Sequence, residues 1–398
     1  MTTLTVVIPA YNEEDGIADI AHRVLSAREG LAEVGVDNLE LIVVDDGSKD
    51  RTVEIAQSIE GVTLIQHSQN KGYGGALKTG FGQAKGELIG FLDADGTYPP
   101  EHFPQLCKEA LNGSDIVVGS RRSGADSHMP PTRKLGNFIW SNLLTLLGNK
   151  RVQDPASGMR VFKREVLPRI YPLPDGLNLT PVMSTRAVHE HLAVSEIPIP
   201  YAERMGRSKL SVVHDGTLFL QSIIWTALTY NPVRPLGLIG SGLAALAALI
   251  GLGLLITRLS GVTTLGGWGV FAVFTAMVSA VAGVSIFSLG VTFNYMVSIF
   301  HKQPIRQGLF GKPVFKTPLN HHFGWVGALA LVVGFVLALV SLALGINGWA
   351  VERLWLYLLG SAMLTLVGIQ LVIYWILLRI LEELGEREML TKQDLGLL

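Results

Sequence analysis

The chain has 398 residues, 48% of them hydrophobic, a mean hydropathy of +0.38 and a formal net charge of −1. Its length exceeds one ordinary domain, and its hydropathy excludes a wholly soluble protein. The charge offers no basic excess of the kind that duplex binding needs, so no nucleic-acid partner is expected.

Most of the charge lies in residues 1–234, and long apolar runs fill 235–380. The start, MTTLTVVIPAYNEED, has no basic n-region or cleavage site and runs straight into a strand pattern at 4–9. No signal peptide is expected, and the first half is placed in the cytoplasm. A helical stretch at 14–33, a strand at 39–44 (LELIVV), a helix at 51–59 and strands at 62–66 and 87–92 (ELIGFL) follow. This alternation predicts a mostly parallel sheet covered on both faces. In such sheets ligands bind beyond the carboxyl ends of the strands.

Three acidic blocks stand at those ends: Pro9-Ala10-Tyr11-Asn12-Glu13-Glu14, Asp45-Asp46-Gly47-Ser48 and Asp93-Ala94-Asp95-Gly96. Each residue type also makes good turns and helix caps. Three blocks at one sheet edge nevertheless argue for a site. Asp93 and Asp95, one residue apart at a strand end, can both reach a hard divalent cation such as Mg²⁺ or Mn²⁺ that bridges diphosphate oxygens. Gly72, Gly74 and Gly75 do not have the spacing of a dinucleotide fingerprint and are expected to let the chain pass close to a ligand or to turn. Cys107, the single cysteine, reads as a small buried hydrophobe.

Residues 134–148 place Leu135, Phe138, Ile139, Leu143, Leu146 and Leu147 at roughly helical spacing, which suits either a core helix or one lying on a bilayer. Residues 212–234 read as a juxtamembrane amphipathic helix. Apolar runs at 236–257, 269–300, 324–346 and 354–378 each meet the roughly 20 residues needed to cross a bilayer. The loop 301–323 carries Lys302, Arg306, Lys312 and Lys316, against one arginine in each of 258–268 and 347–353. The positive-inside rule then puts both termini and the tail 381–398 in the cytoplasm, in a multi-pass inner-membrane protein. Trp268, Trp325, Trp349 and Trp355 fall at run ends, as interfacial anchors do.

The blocks TVVIPAYNEED, LIVVDDGSKDRT, NKGYGGALKTGF, GFLDADGTYPPE, DIVVGSRR and QDPASGMRVFKREVL together resemble family-2 glycosyltransferases of GT-A fold. The closest likeness is to dolichol-phosphate-mannose synthases and bacterial polyprenyl-phosphate glycosyltransferases, over residues 1–235. The implied architecture is an α/β, Rossmann-like GT-A domain at 1–211 followed by an all-α transmembrane domain of four helices at 235–380. The implied reaction moves a hexose from a UDP- or GDP-linked donor to a polyprenyl phosphate, with inversion.

By the same resemblance Pro9, Tyr11, Glu13 and Asp46 hold the nucleoside, and Asp93, Ala94, Asp95 and Arg121 meet the diphosphate. Arg133, Arg204 and Lys209 would bind the acceptor phosphate, with the arginines suited by their bidentate fork. Where relatives carry a metal-serving glutamine, this chain has Thr97, a shorter and weaker oxygen ligand. Asp154 and Asp95 are the expected catalytic residues. Asp154 occupies the place of a general base, yet a phosphate monoester with a second pKa near 6 is already a dianionic nucleophile at neutral pH. Asp154 is therefore expected to orient the site. Membrane lipids are the further expected partners, and a homo-oligomer is left open. Two other readings stay open: transfer to a lipid hydroxyl, and a non-catalytic membrane scaffold. A processive synthase is disfavoured because no QxxRW block is present.

Overall fold

The computed structural model describes residues 1–122, 131–148, 150–202, 212–300, 320–350 and 353–394, without the side chains of 131–133, 212–213, 320–321 and 385–394. Two compact units divide it, Met1–Ala227 and Leu228–Leu398.

The first unit runs β1 (Thr3–Ala10), α1 (Ile17–Ser26), α2 (Arg28–Glu33), β2 (Asn38–Asp45), α3 (Thr52–Ser58), β3 (Val62–Gln66), α4 (Tyr73–Gln83), β4 (Leu88–Phe91), α5 (Phe103–Leu111) and β5 (Ile116–Ser120). It continues through α6 (Pro131–Gly148), β6 (Arg160–Lys163), α7 (Leu167–Ile170), α8 (Leu179–His189), β7 (Val194–Pro198) and most of α9 (Val212–Tyr230). The single helix expected over 14–33 is two, because Gly16 starts α1 late and Ala27 caps it before α2 begins.

The strands form a seven-stranded sheet in the order β3-β2-β1-β4-β6-β5-β7, parallel except for β6. Alternate side chains point to opposite faces, and both faces are covered. Leu4, Val6, Ile8, Leu41, Val43, Leu88 and Val161 pack with α1, α2 and α5, whereas Val7, Ile42, Val44, Ile89, Phe91 and Phe162 pack with α4 and α8. That double burial is why these strands read as unbroken apolar runs rather than alternating ones. Cys107 lies in the first of these layers, with its thiol pKa pushed up to about 12 by burial, which makes it unreactive.

Register aligns the motifs. Ala10 pairs with Asp45 and Val7 with Phe91, so the residues after β1, β2 and β4 emerge at one edge. Antiparallel β6 starts there too, with Arg160 opposite Phe91, and brings the segment 153–158 to the same edge. Arg121 follows β5 at that edge as well.

The second unit comprises α10 (Val233–Leu259), α11 (Gly267–Phe300), α12 (Asn320–Ile346) and α13 (Trp355–Asp394). Among the described residues these supply four helices long and apolar enough to cross a membrane. They pack through small residues that let the backbones approach. A Cβ on Gly283 would meet the Gly240 carbonyl oxygen at 2.9 Å, and one on Gly368 would meet that of Gly327 at 2.9 Å. Trp355 Nε1 donates to the Thr263 carbonyl at 3.1 Å and ties the α10–α11 connection to the start of α13. Trp268 and Trp325 stay largely exposed at their helix ends. The basic loop with Lys302, Arg306, Lys312 and Lys316 lies outside the described residues.

Candidate active site

Pro9, Tyr11, Glu13, Asp46, Asp93, Ala94 and Asp95 all line one cavity of about 560 Å³, together with Tyr73, Gly176, Leu177 and, from α9, Asp215 and Leu218. Seven of the residues expected at the site are thus gathered by the strand ends.

The two aspartates of the second block divide their work. Asp45 turns back on its own loop and accepts from the N–H groups of Gly47 and Ser48, at 3.2 Å each to Oδ2. Asp46 faces the cavity. Its carboxylate accepts from Lys71 N and Gly72 N, each at 2.8 Å, and is braced by His67 Nδ1 at 2.8 Å. His67 Nε2 lies 2.9 Å from Thr79 Oγ1 on α4. The carboxylate is therefore held from three sides by groups that a scan for acidic motifs passes over.

Asp93 Oδ1 accepts from the Tyr73 hydroxyl at 2.9 Å. Asp95 Oδ1 accepts from Thr97 Oγ1 at 2.6 Å and Thr97 N at 3.2 Å. Thr97, expected as a further metal ligand, is buried, with its hydroxyl donating a hydrogen bond to the Asp95 carboxylate. Among the described residues no group of three or more His, Cys, Asp or Glu could hold a metal. Two hard carboxylates beside an open cavity suit an ion that completes its shell with diphosphate oxygens and water, as Mg²⁺ does.

Glycines shape the walls where no side chain fits. Gly72 has φ +88°, and a Cβ there would meet the Asp175 carbonyl oxygen at 2.6 Å. The NKGYGGA glycines thus let the start of α4 lie against the strap 173–176, which Lys78 clips by donating to the Leu173 carbonyl at 2.9 Å and pairing with Asp175 at 2.6 Å. Gly158 lies against Asp93, where a Cβ would meet Oδ2 at 2.6 Å. Gly158→Ala is expected to turn Asp93 aside and raise the divalent-ion concentration needed for half-maximal activity, checked by titrating Mn²⁺ or Mg²⁺ into the assay.

Arg121 and Asp154 form a buried pair. Arg121 Nε donates to Oδ2 at 2.8 Å, Nη2 to Oδ1 at 2.7 Å and its backbone N to Oδ2 at 3.0 Å. Asn137 of α6 adds a fourth donor at 3.0 Å. The guanidinium also lies over the rings of Tyr98 and Tyr201, at 5.9 and 5.5 Å. Burial alone pushes the Asp154 carboxyl up, but the Arg121 charge and hydrogen bonds outweigh it and leave the pKa below the ordinary value. For Arg121, burial lowers and Asp154 raises, and the balance is well above its ordinary value. Asp154 is thus a fully buried carboxylate with four donors and lowered basicity, an arrangement suited to holding its neighbours in place.

Beneath this pair lies Arg160, fully buried, with Nε and Nη2 donating to the carbonyls of Ser157 and Pro155. Burial pushes its pKa down to about 10. It holds the 154–158 loop against the sheet edge. Sequence reasoning passed over Arg160, Asn137, His67 and Tyr73; the last sits inside NKGYGGA, a motif read only for its glycines. Arg204 and Lys209 lie outside the described residues, as does the side chain of Arg133.

Comparison with known proteins bears on this geometry. The profile of glycosyl transferase family 2 matches residues 5–171, and that of a domain of unknown function matches 232–392. An undecaprenyl-phosphate 4-deoxy-4-formamido-L-arabinose transferase from Photorhabdus laumondii is 30% identical over 313 residues, which is 77% of this chain and 92% of the relative. The chain belongs to glycosyl transferase family 2. An enzyme of the same name from Aeromonas hydrophila is 29% identical over 74% of this chain and 88% of its own length. A crystal structure of glucosyl-3-phosphoglycerate synthase from Mycobacterium tuberculosis, in complex with Mn²⁺, UDP and glucosyl-3-phosphoglycerate, covers 57% of this chain and 80% of its own, at 24% identity and a TM-score of 0.42. The cavity of this transferase lies within the profile match apart from the strap residues Gly176 and Leu177 and the two residues from α9.

Proposed function

We propose that this transferase moves a hexose from a nucleoside-diphosphate sugar to polyprenyl phosphate at the cytoplasmic face of the inner membrane, with inversion. The observation that carries the reading is the meeting of Asp46, Asp93 and Asp95 in one cavity, in a chain that continues into four membrane-length helices. The names of its relatives supply the acceptor class.

Asp46 takes the ring N–H of the base, Tyr11 lies beside it, and Pro9 and Glu13 complete that wall. Asp93, Ala94 and Asp95 meet the diphosphate, and Asp93 with Asp95 would hold Mg²⁺ or Mn²⁺. The ion, when bound, offsets charge on the departing nucleoside diphosphate. Thr97 positions Asp95 for this task. Asp154 fixes Arg121, which is assigned to the diphosphate by its motif at the same sheet edge. Arg133, Arg204 and Lys209 hold the acceptor phosphate for in-line attack on the anomeric carbon. The phosphate oxygen attacks, the bond to the diphosphate breaks, and no general base is required because the nucleophile is already ionised.

The α6 helix faces two ways. Asn137 and Ser141 turn inward, whereas Leu135, Phe138, Ile139 and Leu146 are exposed. Its outer face is read as resting on the bilayer, close to where a lipid acceptor arrives.

Purified protein, polyprenyl phosphate and Mn²⁺ or Mg²⁺, incubated with a panel of labelled nucleotide-sugars, test the reading. Label is expected in an acid-labile lipid. Label in a lipid that carries the sugar on a hydroxyl would replace the acceptor class, and no transfer from any donor would leave the scaffold reading.

A further inference from the structure

One short turn joins the two recognition carboxylates of the cavity. Lys71 and Gly72 give their backbone N–H groups to Asp46, and the next residue, Tyr73, gives its hydroxyl to Asp93. The turn is pinned from outside, since Gly75 N donates to the Asp175 carbonyl at 3.0 Å and Gly72 has no room for a side chain beside it. Asp95 has its own hydroxyl partner in Thr97. Each carboxylate of the pair is therefore held at Oδ1 by a hydroxyl, one from the start of α4 and one from the loop after β4.

We propose that Tyr73 is a positioning residue of the divalent-ion site, and that the Lys71–Tyr73 turn sets the separation between base recognition at Asp46 and diphosphate recognition at Asp93. The proposal rests on the reading of Asp93 and Asp95 as the ion-holding pair. A hydroxyl donor at one oxygen fixes the plane of a carboxylate, and outer partners of this kind tune metal affinity.

Tyr73→Phe keeps the ring and removes the donor. In the full-length protein in detergent, Mn²⁺ binding is read from the spin-resonance signal of free Mn²⁺, with no sugar donor present. The variant is expected to bind Mn²⁺ about tenfold more weakly or worse. Its Mn²⁺ requirement in transfer should rise in parallel, with kcat at saturating Mn²⁺ little changed. Binding of UDP and of GDP without metal should match the parent, because Asp46 keeps all three of its partners. Unchanged Mn²⁺ affinity overturns the proposal. So does joint loss of Mn²⁺ and metal-free nucleotide binding, which would give the ring a purely structural role. If Asp93→Ala/Asp95→Ala still binds Mn²⁺ as the parent does, the ion reading itself fails. If that double variant loses Mn²⁺ while Tyr73→Phe does not, only the role of Tyr73 falls.

Discussion

Replacing Asp93 and Asp95 together by alanine is expected to lower kcat/KM for sugar transfer on the order of a thousandfold or more, the scale on which removal of a principal electrostatic stabiliser acts. The two carboxylates are the acidic groups that the strand end of β4 places in the cavity, and Gly158 packs directly against Asp93. The fold should survive, because these side chains form none of the sheet's apolar layers. Label transfer and circular dichroism, measured on one preparation, check both halves of the statement. Retained turnover in a folded double variant would sink the metal reading.

The second large effect belongs to the Arg121–Asp154 pair. Asp154→Ala leaves a buried guanidinium without its carboxylate, a loss of about 3–5 kcal/mol in systems where one partner of a buried pair is removed. A fall in thermal stability of the first unit, seen in its helix and sheet signal, is the expected result. Asp154→Asn keeps the shape and one acceptor oxygen, so it should be milder and retain measurable transfer, which an essential general base would not allow. The pH dependence has a definite sign. The folded pKa of Asp154 is depressed, so its contribution to stability is present above the unfolded value of about 3.9 and is lost as pH falls through the folded value. In Asp154→Asn the acid limb of the stability profile should be flatter. An unaltered acid limb would show that Asp154 does not titrate with folding.

Much of this was legible in the primary structure, for identifiable reasons. LTVVIP, LELIVV and ELIGFL read as buried strands because a doubly covered parallel sheet needs apolar residues on both faces, and the four spans read from length and apolarity alone. The strand RVFK was not legible as such. Its four residues include Arg160, whose burial is made tolerable by carbonyls of the loop just before it in the chain, a local arrangement that no hydrophobic period announces.

The acidic blocks after β1, β2 and β4 were visible as motifs, and a strand that ends in a parallel sheet must deliver its following residues to one edge. Chain order alone therefore placed Asp46, Asp93 and Asp95 at a common site. The groups that bear on those carboxylates come from elsewhere: His67 after β3, Tyr73 on α4 and Gly158 before β6. Only the sheet order β3-β2-β1-β4-β6-β5-β7, with β6 reversed, brings them into contact. A hydrogen bond between residues 20 or more positions apart depends on register and on which elements are neighbours. Those are decided when the layers pack, so the carboxylates belong to the sequence and their orientation belongs to the fold.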